Sequence, residues 1–183
     1  MGIPTLIKTL TADNDSSLDF VDGTASVVLD STYDEYMFVC TDIGQVSNGE
    51  HFAFQVNKVD DSGFDKAMTT SAWVAQHSEA GEDAQVAIST SLDQAQGTSY
   101  QAMAMSIGSE SDESAAGILH LFSPASTTYV THFYSRFSSY HGSNYAIDFY
   151  SAGYINITEA VDEISFKMTS GNFDGVIQMF GIA

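Results

Sequence analysis

Carboxylates come closest to forming a chemical site. Asp13-Asn14-Asp15, followed by Asp19, sets several hard oxygen donors within one short stretch, the donor type that calcium prefers. The stretch lacks the mid-loop glycine and the distant bidentate glutamate of an EF-hand. Calcium is therefore the one cofactor left open, and no other is expected. Glu110-Ser111-Asp112-Glu113 is a second acidic cluster. The histidines His51, His77, His120, His132 and His141 are scattered, with no His-Glu-x-x-His pattern, so a transition-metal site has no support. Tyrosine and tryptophan rings are better candidates for recognition. Tyr140, Tyr145, Tyr150 and Tyr154, with Trp73, are the expected contacts for a sugar ring or a neighbouring subunit.

Catalytic patterns are missing. No Gly-x-Ser-x-Gly elbow exposes a serine, and neither Gly-x-Gly-x-x-Gly nor a Walker loop cradles phosphate. A glycosidase needs two carboxylates facing across a sugar, and 24 Asp and Glu supply only random pairs. No catalytic residue is nominated, and a non-enzymatic role is expected.

The elements that must position these side chains are strands. EYMFVCTDI, EHFAFQV, YVTHFYSRF and YAIDFYSAGYIN alternate apolar with polar residues between short Ser/Thr/Asp/Gly loops. The pattern predicts strands at 5–10, 17–21, 26–30, 35–43, 50–58, 69–77, 84–90, 99–107, 116–122, 129–138, 145–157, 162–169 and 175–182. Asp22-Gly23, Asn48-Gly49, Asp61-Ser62-Gly63 and Asp174-Gly175 are the predicted reversals. Ile157 to Glu163 is expected to form one helical turn capped by Thr158. Residues 35–43, apolar on both faces, read as a central strand covered on both sides. Residues 51–58 read as a two-faced strand with one polar side. The expected fold is all-β: one domain, 1–183, a two-sheet antiparallel β-sandwich of jelly-roll type, with a closed barrel as the alternative. Several strands are too apolar on both faces for a lone sandwich, so one face should pack on another subunit or layer.

Charge narrows the partners. Five Lys and Arg against 24 Asp and Glu give a formal charge of −19, which excludes phosphate neutralisation of nucleic acid and docking on anionic lipid. No apolar stretch approaches the roughly 18 residues of a membrane span, and MGIPTLIKTL is not read as a signal peptide. Cys40, the single cysteine, lies in an apolar run and reads as a small buried hydrophobe. The Asn156-Ile157-Thr158 sequon is uninformative without export.

LIKTLTA, SLDFVDGTASVVLDSTYDEYMFVCTDI, GILHLFSPASTTYVTHFYS and AGYINITEAVDEISFKMTSGNFDGVIQMFGIA together sample nearly the whole chain. In these segments the chain resembles a family of small proteins encoded by tailed phages of marine and freshwater bacteria. The resemblance implies a virion structural protein, fibre-like, capsid-decorating or tail-associated, and carries over no enzymatic residue. It implies synthesis in the bacterial cytoplasm and residence on the virion surface. The expected partners are other copies of the chain, as a homotrimer, and capsid or tail proteins. A host-surface glycan is the alternative partner, for a carbohydrate- or receptor-binding module used in adsorption.

Overall fold

Alternation is strictest at 131–139. Thr131, Phe133, Ser135, Phe137 and Ser139 are buried there while His132, Tyr134, Arg136 and Ser138 are exposed, because successive strand side chains point to opposite faces. The computed structural model describes residues 2–183. Its strands are β1 (Thr5–Asp15), β2 (Leu18–Val21), β3 (Glu35–Gln45), β4 (Glu50–Lys58), β5 (Met68–Ser78), β6 (Ala84–Ile88), β7 (Ala95–Gly97), β8 (Gln101–Ile107), β9 (Ala115–Phe122), β10 (Thr131–His141), β11 (Tyr145–Ile155), β12 (Val161–Met168) and β13 (Phe173–Ile182). The fold is all-β and every ladder is antiparallel.

The pairing order is that of a jelly roll. One sheet runs β1-β13-β3-β9 and the other β2-β12-β4-β8. Consecutive strands such as β1 and β2, or β3 and β4, fall in opposite sheets, which is the double Greek key of the eight-stranded jelly roll. The other five strands lengthen the first sheet. β10 pairs with β9, β11 with β10, and β5 with β11, while β6 and β7 line the far side of β5. The two sheets join through one residue pair, His141 with Ile107, so the sandwich is nearly closed without a continuous barrel ladder.

The core lies between the sheets. Phe20, Phe52 and Phe166 from one sheet meet Phe38, Phe137 and Phe173 from the other. Cys40 is buried among them, and burial pushes its thiol far above the ordinary range. A second cluster, Ala72, Val74, Ala102, Ile147 and Phe149, packs the extension of the large sheet against β8.

Several expected elements are corrected. Residues 26–30 form no strand. Ala25 and Ser26 adopt φ of 51° and 70°, and the loop drops Val27 and Leu29 into the core, which accounts for their alternation. Ile157 to Glu163 forms no helical turn: 157–160 is an irregular connection whose Ala160 carbonyl accepts from Val59 N–H, and β12 takes Val161 onward into its ladders with β2 and β4. Asp174-Gly175 is a bulge inside β13 and not a reversal. β4 has no solvated face: Phe52 to Asn57 are all buried. Its polar side is roofed by loops whose carbonyls satisfy it. Gln55 Nε2 donates to Lys66 O at 3.0 Å and to Thr98 O and Ser99 O at 3.2 Å, and Asn57 Nδ2 donates to Asp61 O at 2.9 Å. β3 is central, but only one of its faces is covered: Tyr36, Phe38 and Cys40 are buried while Met37 and Val39 stay half-exposed.

The joint between the sheets is sensitive to acid. Ser106 N–H donates to His51 Nδ1 at 2.9 Å, and Ser143 N–H donates to His141 Nδ1 at 3.0 Å. Both bonds need an unprotonated Nδ1. Burial holds both histidines below their ordinary value of 6.5, against the opposing pull of Glu50 on His51 and Glu113 on His141. The unfolded chain therefore binds protons first. Stability that is full above about pH 6.5 falls as pH drops from there toward the lower folded-state values. Urea midpoints measured between about pH 7.5 and pH 5 should decline for the wild type. The His51→Asn/His141→Asn double variant, which keeps an acceptor and loses the proton, should show a flatter profile; equal slopes would refute the assignment.

Candidate functional site

The jelly roll and its extension build one wide outer face, whose composition follows from register. Residues directly opposite in adjacent strands share a face. The central row reads Thr9, Gln178, Val39, Ile118, Arg136, Tyr150, Trp73, Ile88 across β1, β13, β3, β9, β10, β11, β5 and β6. The next row toward the C-terminal end of β9 reads Leu6, Phe180, Met37, His120, Tyr134, Ala152, Ser71. One row further come Ile182, Glu35, Phe122, His132, Tyr154 and Thr69. On the opposite side of the central row lie Ala116, Ser138, Asp148, Ala75 and Val86.

Side chains on this face are stacked and paired with one another. Trp73 lies on Tyr150 with ring centroids 4.3 Å apart and planes 11° off parallel. The Arg136 guanidinium covers the Tyr150 ring from 5.0 Å and grips Asp148 with two bonds, Nε to Oδ1 at 3.0 Å and Nη2 to Oδ2 at 2.8 Å. His120 stacks on Tyr134 at 4.5 Å and bonds Glu35 through Nδ1, and Phe122 tilts against Tyr134 at 5.7 Å. Burial, then the nearby Glu35 charge, holds the Tyr134 hydroxyl above its ordinary range. A shallow depression of about 580 Å³ lies between these groups, over Gly117 and Ile118.

The sequence-nominated residues divide. Tyr140, Tyr150, Tyr154 and Trp73 lie on this outer face, Tyr140 opposite Ala146. Tyr145 points the other way and packs on the second core cluster. Asp13 and Asp15 sit at the irregular end of β1, where Asp15 Oδ2 accepts from Asp13 N–H at 3.0 Å and Asp174 Oδ1 accepts from Asn14 N–H at 2.7 Å. Asp19 is on β2 opposite Ser165, and its charge acts on Tyr100. Among the described residues no three His, Cys, Asp or Glu side chains converge as a metal site. Glu113, in the second acidic cluster, turns inward and accepts from Glu110 N–H at 2.7 Å.

Ile118, His120, Tyr134, Arg136 and Asp148 were not nominated from sequence. The signal was present in the β10–β11 hairpin. Its short Gly142-Ser143-Asn144 loop, with Asn144 at φ 62°, fixes His141 opposite Tyr145, and that register places the chain's only arginine opposite Tyr150. Compared with protein-family models, curated proteins and solved structures, the chain matches none.

Proposed function

We propose that the chain is a non-enzymatic structural protein of a tailed-phage particle, carried on the particle surface as a fibre, capsid decoration or tail-attached module. One observation carries this reading. A chain of formal charge −19 keeps a broad, apolar and charge-poor sheet face uncovered, and such faces mark sites of assembly. The jelly-roll order recurs in viral capsid and lectin domains, an analogy at the level of fold alone. The sequence resemblance to tailed-phage proteins points the same way. The test is quantitative mass spectrometry of purified particles from the phage that encodes the chain. Fixed stoichiometry is expected, a high copy number marking a capsid decoration and a low one a tail or fibre part; absence overturns the reading.

A second reading, saccharide adsorption, is favoured by the depression beside Tyr134 and Tyr150. A glycan array probed with a multivalent display of the chain tests it, and no signal discards it.

A further inference from the structure

We infer that the outer face of the large sheet is where copies of this chain meet, the occupant being the same face of a second copy. The inference rests on the assembly reading above and names its surface and its partner.

Charge selects the partner. In the four rows that cross the face, Glu35, Arg136 and Asp148 are the only formally charged residues; Arg136 and Asp148 form an ion pair, and Glu35, in the outermost of these rows, is hydrogen-bonded with His120. The remaining 22 of the 24 carboxylates lie outside these rows. Two copies at −19 repel wherever those carboxylates come together. Here they can approach with the Arg136–Asp148 pair neutral at the centre and a single carboxylate, Glu35, in the outermost row of each copy.

Preorganisation selects against a sugar. A pyranose needs a free aromatic face and unsatisfied hydrogen-bonding groups. Tyr150 has Trp73 on one side and Arg136 on the other, and Tyr134 gives a face to His120. Arg136 Nε and Nη2 and both Asp148 oxygens already bond each other. Much of what remains outward is apolar, Ile118, Val39, Met37, Phe180, Leu6, and Ile88 at the edge, with Thr9, Gln178, Ser71, His132 and Ser138 as uncharged polar groups among them. A ladder of mutually stacked side chains loses little freedom when covered, which favours protein contact. The size is also adequate. At about 4.8 Å between strands and 3.3 Å per residue, the face spans on the order of 600 Å² as a plane, close to the ~800 Å² each partner buries in a standard interface. The same patch meeting itself gives a closed, isologous contact.

Trp73, the only tryptophan, lies in the central row and reports directly on cover. The experiment is sedimentation velocity with tryptophan emission over a concentration series, on wild type, Ile118→Asp and Val59→Glu. Ile118 is in the central row, and Val59 is an exposed apolar residue in the loop after β4. Both positions are exposed, and circular dichroism checks folding. Wild type should self-associate with a blue shift of Trp73 emission, and Kd should fall as NaCl screens the outlying charge. Ile118→Asp should raise Kd at least about 100-fold, while Val59→Glu leaves it within about threefold. A wild type monomeric throughout overturns the inference, as do equal effects of the two variants or a Kd that rises with salt. A monomer whose Trp73 emission responds to neutral saccharide overturns it in favour of the sugar. A monomeric chain still found in purified particles overturns the inference and leaves the assembly reading standing.

Discussion

Replacing Phe166 with alanine lowers the unfolding free energy by about 4 kcal/mol, read from urea unfolding monitored by circular dichroism. Phe166 is fully buried on β12 and touches rings from three other strands. Its centroid lies 5.3 Å from Phe38 on β3, 6.0 Å from Phe20 on β2 and 6.1 Å from Phe52 on β4, which it stacks at 16°. Truncation removes the transfer free energy of the ring and leaves a void lined by three aromatics. Those neighbours are held by their own ladders, so the void cannot collapse fully, which keeps the cost well inside the Phe→Ala range. Tyr134→Ala is the comparison. Its ring stands on the outer face at 43% exposure, and its loss should cost the monomer under about 1 kcal/mol. Equal losses at the two positions would show that the space between the sheets is not the stabilising core.

The strands were largely legible, because nearly every one alternates over its own length and alternation is a local property. β10 is the clearest case, and 35–43 and 145–157 also fall within a few residues of β3 and β11. Failures occur where tertiary contacts override the local pattern. Val27 and Leu29 alternate as strand residues do, yet they are a loop's two anchors, tied down where Asp22 Oδ1 accepts from Leu29 N–H at 2.8 Å. Gln55 and Asn57 look like a solvated face because nothing local reveals the loops that cover them. The three-residue β7 is too short to carry any period. The face was half legible. Its tyrosines were nominated as outward rings, but which of them share a face depends on register. The β11–β5 ladder pairs Tyr150 with Trp73 across most of a hundred residues of chain, and no spacing within either strand encodes that. The orientation of Tyr145 depends on register in the same way: it is odd-numbered in a hairpin whose even positions face outward, and it packs on the second core cluster.

Gly117→Ala should cost about 3 kcal/mol, at the top of the overpacking range, although it adds one methyl group. Gly117 is on β9, the last strand of the jelly-roll half of the large sheet, opposite Phe137 on β10, the first strand of the extension. A Cβ there would lie 2.3 Å from Phe137 Cγ and 2.4 Å from Arg136 O. The ring could turn aside, but the carbonyl could not, because the backbone at 136 belongs to the β9–β10 ladder. Relief requires the two strands to part, and that seam joins the extension to the jelly roll. The added variant Phe137→Leu should therefore recover only part of the loss, since Arg136 O stays in place. Gly44→Ala is the control: it is also in a strand, with negative φ and open space around its Cβ, and should cost under about 1 kcal/mol. The seam also carries the outer face. Arg136 and Ile118 flank the strained contact on their respective strands, so shifting the seam disturbs the centre of the stacked row. Gly117→Ala should weaken self-association even where enough protein remains folded to measure it, whereas Gly44→Ala should leave association unchanged. Equal stability losses in the two glycine variants would show that the close approach of β9 and β10 is not what holds the extension in place.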